Sequence, residues 1–116
     1  MSYEEKMING TLIITVTEKR FDAVSSGPIT SNLQKKVQEG QSNIVLNLKN
    51  VQFMDSTGLG CLVSLFKVIG KNGSLTLCHM TDAVKDLFSQ THLNTIFKIY
   101  TTEEEALQNN KQNSGL

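Results

Sequence analysis

Short apolar runs recur along this chain at Leu12-Ile13-Ile14 with Val16, at Ile44 to Leu48, at Ser74 to Cys78 and at Ile96 to Tyr100. Each is bounded by polar or turn-forming residues and is of strand rather than helix length. The segments between them have a different period. Ile29, Leu33 and Val37 recur every four residues, Leu59, Leu62, Val63, Phe66 and Ile69 form one helical stripe, and Val84, Leu87 and Phe88 form another. Alternating buried strands and amphipathic helices imply parallel pairing through right-handed crossovers, with the helices packed on the sheet. The fold class is α/β, a single domain built on a mostly parallel central sheet.

Local signals place the elements. Tyr3 to Ile8 and Thr11 to Thr17 flank Asn9-Gly10, a dipeptide suited to a tight hairpin, so the chain opens with two antiparallel strands. Glu18 to Pro28 breaks all periodicity and reads as a loop. A helix over 29–39 ends before Gly40, and the strand Ile44 to Leu48 continues through Val51, Phe53 and Met54 as an apolar connection. The helix that starts at Ser56 closes at Gly70 and Gly73. Thr81-Asp82 offers capping oxygens to the third helix. Thr101 and Thr102 are each followed three residues later by a Glu, giving overlapping capping boxes for a last helix over Glu103 to Asn109. The domain is expected over 1–109, with 110–116 a polar, disordered tail. The order is β-β-α-β-α-β-α-β-α. In such folds the loops at the carboxyl ends of the strands share one edge, so Asp22 to Pro28 and Val51 to Ser56 should be neighbours there.

Bulk properties exclude several classes of function. The chain has 116 residues and 39% hydrophobic content, enough for one core. Lys and Arg number 11 against 11 Asp and Glu, and aromatics make up 6%, which argues against nucleic acid and anionic membranes as partners. The opening MSYEEKMING lacks the apolar run of a secretory signal. The charge-free stretch from Ser56 to Phe66 is far shorter than the ~20 residues of a spanning helix. Cys61 and Cys78 lie among apolar neighbours, as expected of core thiols in a reducing cytoplasm. His79 and His92 have no ligand spacing with each other or with the cysteines, so neither a metal nor another cofactor is implied.

Chemistry concentrates in Phe53-Met54-Asp55-Ser56-Thr57-Gly58-Leu59-Gly60, where a buried strand feeds an amphipathic helix. The first amides of a helix lack intrahelical partners and carry partial positive charge, so an anion on Ser56 is favoured there. Asp55, Ser56 and Thr57 would also serve simply as caps. Gly58 and Gly60 go beyond what capping needs, since each costs about 1 kcal/mol of helix propensity relative to Ala. The residues alone lead to a site for an anion or a partner. A serine-hydrolase elbow of the Gly-x-Ser-x-Gly type is missing around Ser56, and no base lies near it in sequence, so the chain is read as non-enzymatic.

The segment Asn47-Leu48-Lys49-Asn50-Val51-Gln52-Phe53-Met54-Asp55-Ser56-Thr57-Gly58-Leu59-Gly60 resembles the hallmark of STAS domains, in particular bacterial anti-sigma-factor antagonists. The similarity extends from Ile8 to Leu107 and includes Gly73 to Leu77 and Val84 to Phe88. It implies a STAS fold in which Ser56, the hydroxyl after the Asp, is phosphorylated by an anti-sigma serine kinase and released by a serine phosphatase. The unmodified form is expected to hold the kinase and free a sigma factor. Asp22, Ser25, Asp55, Thr57, Gly58, Leu59 and Gly60 are the positions expected to bind the partner. One departure stands out: Lys19-Arg20-Phe21-Asp22 occupies the place of the family's Gly, acid, apolar residue and Asp, and only the last two match. Two other readings compete: a STAS scaffold or small-ligand module that is never phosphorylated, and a small enzyme using Asp22 and Asp55 as a carboxylate pair.

Overall fold

The computed structural model describes residues 3–114. Asn9 and Gly10 take φ of 48° and 84°, the positive values that a two-residue hairpin turn requires. They join β1 (Tyr3–Ile8) to β2 (Thr11–Val16), paired antiparallel from Ile8 opposite Thr11 to Tyr3 opposite Val16. There follow β3 (Arg20–Phe21), α1 (Ser26–Gln38), β4 (Asn43–Asn47), β5 (Phe53–Met54) and α2 (Ser56–Ile69). The chain then forms β6 (Ser74–Cys78), α3 (Asp82–Gln90), β7 (Lys98–Tyr100) and α4 (Glu103–Ser114), with 3-10 turns at Gly70–Asn72 and Leu93–Thr95.

Five strands form the main sheet in the order β1-β2-β4-β6-β7, antiparallel only at β1 with β2. Residues alternate between its faces. Ile14, Leu46 and Leu77 join Leu33 of α1, Leu62 and Leu65 of α2 and Phe88 of α3 in the larger core. Ile13, Val45 and Cys78 point the other way, onto Ala106 of α4. Both faces of the central strands are therefore covered, which is why those strands read as unbroken apolar runs.

Several boundaries differ from the sequence reading, each for a local reason. The stretch expected as loop before Pro28 holds both β3 and the start of α1. Its first turn is fixed by Ser26, whose N–H and hydroxyl donate to the Asp22 carbonyl at 2.9 and 2.6 Å. On α2 the buried stripe passes through Leu65 rather than Phe66, which is 37% exposed. Thr81 does not cap α3 with its side chain; its hydroxyl donates 2.8 Å to the Val51 carbonyl. Ile96 lies before the last strand and is exposed. Of the two expected capping boxes the second forms: the Thr102 N–H donates to Glu105 Oε1, and the Glu105 N–H to Thr102 Oγ1, both at 3.2 Å. α4 continues to Ser114, through most of the expected tail, and residues 115 and 116 lie outside the described residues.

A polar cluster holds α4 to its face of the sheet. The Glu103 carboxylate accepts from Asn47 Nδ2 at 2.9 Å and pairs with Lys6 Nζ at 3.1 Å, while the Glu103 N–H donates to His79 Nε2 at 3.1 Å. Burial pushes the Glu103 carboxyl upward, but Asn47 and Lys6 outweigh it and hold it below its ordinary value of 4.5. A lowered folded value means that the stabilisation is complete above the unfolded value and is lost as pH falls through the folded one. Glu103→Gln should therefore cost about 1 kcal/mol at neutral pH and much less in acid. Chemical denaturation at pH 7 and pH 3 checks this, and an equal loss at both would contradict it.

Candidate functional site

Two loops meet beside the start of α2 because β3 and β5 pair in parallel, Arg20 opposite Phe53 and Phe21 opposite Met54. The Lys19 carbonyl accepts from the N–H groups of Gln52 and Phe53 at 2.7 and 3.1 Å. The loop after β2 and the segment entering α2 are thus tied by backbone bonds.

Asp55 is extended and caps α2, with Oδ1 accepting from the Gly58 N–H at 2.9 Å and its carbonyl from the Leu59 N–H at 3.0 Å. The amides of Ser56 and Thr57, the first two of the helix, have no intrahelical acceptor. Both side chains are exposed, and the Ser56 hydroxyl has no hydrogen-bond partner among the described residues. Of the three caps suggested by the sequence, Asp55 alone does the capping. Ser56 stands at the positive end of a 14-residue helix with its oxygen open to solvent.

The two glycines separate into different roles. A Cβ on Gly58 would collide with the Phe21 carbonyl oxygen, whereas one on Gly60 would meet nothing within 4 Å. Gly58 lets the first turn of α2 close against β3. Gly58 and Leu59 are buried, which corrects their expected place on the partner surface. Ser56, Thr57 and Gly60 are exposed, and Asp22, Ser25 and Asp55 are half-buried.

Asp22 and Ser25 lock the neighbouring loop. Asp22 Oδ1 accepts from the N–H groups of Val24 and Ser25 at 3.1 and 3.3 Å. The Ser25 hydroxyl donates to the Arg20 carbonyl at 2.7 Å and accepts from the Asp22 N–H at 3.2 Å. Arg20 Nε donates to Asp22 Oδ2 at 3.0 Å, and this bond, with the amides of Ser25 and Val24, holds the Asp22 carboxyl below its usual range. The Arg20 guanidinium also lies over the Phe53 ring, 4.2 Å from its centre. Asp22 and Ser25 are among the contact positions expected from the sequence; Arg20 stands out there only as a departure from the family pattern, and Phe53 and Val24 are not among the expected contacts. The one signal in the sequence is the departure at Lys19-Arg20-Phe21, a cation where the family has an acid; its register with Phe53 comes from the folded chain.

The STAS domain model matches residues 3–106. This chain belongs to the STAS domain family. A curated relative, the anti-sigma F factor antagonist of Paenibacillus polymyxa, is 35% identical over 84% of this chain and 85% of its own length. The crystal structure of a protein from Thermotoga maritima superposes with a TM-score of 0.86 at 24% identity, covering 94% of each chain. SpoIIAA, the Bacillus cell fate determinant, in its phosphorylated form superposes with a TM-score of 0.72 at 21% identity, over 92% of this chain and 97% of that one. These two structures share the fold of this STAS domain. No helix among its described residues is long and apolar enough to cross a membrane.

The glycines give a stability test of the site. Gly58→Ala should destabilise the STAS domain by about 2 kcal/mol through overpacking against Phe21. Gly60→Ala, in open space on the same helix, should stabilise it by up to about 1 kcal/mol. Denaturant unfolding of both variants checks the pair, and losses of equal size would contradict the assignment.

Proposed function

We propose that this STAS domain is a cytoplasmic, non-enzymatic anti-sigma factor antagonist. With Ser56 unmodified it binds an anti-sigma serine kinase and so frees a sigma factor. Phosphorylation of Ser56 by that kinase ends the binding, and a serine phosphatase restores it. The observation that carries this reading is the exposed hydroxyl of Ser56, without a hydrogen-bond partner among the described residues, at the capped entrance of α2. The relative from Paenibacillus polymyxa, named as an antagonist of anti-sigma F factor, supports the partner class. The phosphorylated form of SpoIIAA, a protein of the same fold, supports the modification.

The physical argument concerns the interface rather than the fold. A phosphate adds about −1.5 to −2 charge at neutral pH. In the free protein the amides of Ser56 and Thr57 and the helix dipole accept that charge, so the domain stays folded. Against a partner the same anion has to be desolvated beside the Asp55 carboxylate, on a surface shaped for a hydroxyl. A penalty of about 2.8 kcal/mol already lowers affinity a hundredfold. Asp22 and Ser25 hold the adjoining loop, and Thr57 and Gly60 complete the exposed rim.

Titration calorimetry against the anti-sigma kinase tests the switch. Ser56→Ala should bind like the wild type, and Ser56→Asp should bind at least about tenfold more weakly, a difference of 1.4 kcal/mol. Equal affinities for the two variants would rule the mechanism out.

A further inference from the structure

Three exposed side chains beside the entrance of α2 serve neither its cap nor the core. Val24 is 85% exposed and Phe53 42% exposed, and the Arg20 side chain is exposed as well. Arg20 lies over the Phe53 ring, and it lines a shallow hollow with Thr17, Glu18, Lys19, Asp22, Val24 and Ser25, in which Lys19 offsets Glu18 and Arg20 offsets Asp22. The loop carrying Val24 is fixed, its N–H bound to Asp22 Oδ1 at 3.1 Å. An apolar side chain on a rigid, hydrogen-bonded turn remains in water unless a partner covers it.

Arg20 is held at two points. Nε donates to Asp22 Oδ2 at 3.0 Å, and the guanidinium carbon rests 4.2 Å from the centre of the Phe53 ring. Its two terminal nitrogens have no partner among the described residues, and the side chain is 62% exposed. An exposed ion pair of this kind adds little to stability. It does preset a planar fork of N–H donors, the shape that takes a carboxylate through two parallel bonds. Donors already immobilised lose little entropy on binding, and apolar neighbours that exclude water strengthen the contact they surround.

On the reading of this rim as the partner-binding edge, we propose that Arg20 determines partner specificity by receiving an Asp or Glu side chain of the anti-sigma factor. Phe53 and Val24 flank that ion pair and pack on apolar partner surface. An anti-sigma factor with a basic residue at the facing position is rejected, because the clamp to Asp22 and Phe53 leaves Arg20 unable to turn away without losing both contacts.

A panel of purified anti-sigma factors that includes anti-sigma F factor of Paenibacillus polymyxa is titrated with the full chain, and the member that binds the wild type is carried forward. If none binds, the antagonist reading itself fails, and this inference with it. With the bound partner, Arg20→Gln should weaken affinity about tenfold and Arg20→Glu about thirtyfold or more. Lys98→Glu on β7, at the far edge of the sheet, should stay within about twofold and controls for net charge. Thermal unfolding separates folding from binding. Arg20→Glu puts a second acid beside Asp22, so the neutral Arg20→Gln variant decides if the midpoint of Arg20→Glu falls. Replacing the facing acid of the partner by Arg should restore binding to Arg20→Glu, which a purely structural role of Arg20 would not allow. Wild-type affinity in Arg20→Gln, failure of that rescue, or an equal loss in Lys98→Glu would overturn the proposal.

Discussion

Where α2 enters the domain, the backbone of Gly58 lies against the carbonyl of Phe21, closer than any side chain would permit. The geometry of the rim follows from this contact. It sets the first turn of α2 beside β3, and the parallel pairing of Arg20 with Phe53 and of Phe21 with Met54 then brings the two loops side by side. Phe21 and Met54 turn inward to the core, and their neighbours Arg20 and Phe53 turn outward. The same two-residue strands that anchor the site thus also present its surface.

Within that frame the polar groups divide the work. Asp55 satisfies the Gly58 amide, and Asp22 with Ser25 satisfies the loop after β2, so the rigid parts of the rim have internal partners. Ser56 and Thr57 do not share in this network among the described residues. A hydroxyl that carries no structural bond can change its chemistry with little effect on stability, and one at a helix entrance has free amides ready for a negative charge. The proposed switch relies on this combination at Ser56, a modification that alters recognition while the architecture persists.

The α/β order, the hairpin and most strand limits were legible because they rest on local rules: apolar runs, helical stripes and the Asn9-Gly10 turn. The position of Ser56 at a helix start was legible for the same reason. What could not be read needed contacts between distant segments. Gly58 looked like an opening for a partner until Phe21 appeared above it, and Leu59 looked available until the core claimed it. Thr81 had the chemistry of a cap but met the Val51 carbonyl instead. β3 and β5, two residues each, are too short to show a period, and each exists because the other does. Arg20 was noticed as a departure from the family pattern, yet its clamp depends on Phe53 and Asp22, which only the folded chain brings to it.

The central claim is that one hydroxyl serves both as the acceptor of phosphate and as the contact a partner reads. Its most direct test follows both events in one sample: the preformed complex with the anti-sigma kinase receives ATP and magnesium, and native mass spectrometry with peptide mapping tracks phosphate and complex together. The account predicts phosphate on Ser56 alone, appearing as the complex disappears, with the free domain still folded. Phosphate on another residue, or a complex that survives with Ser56 fully phosphorylated, would contradict it.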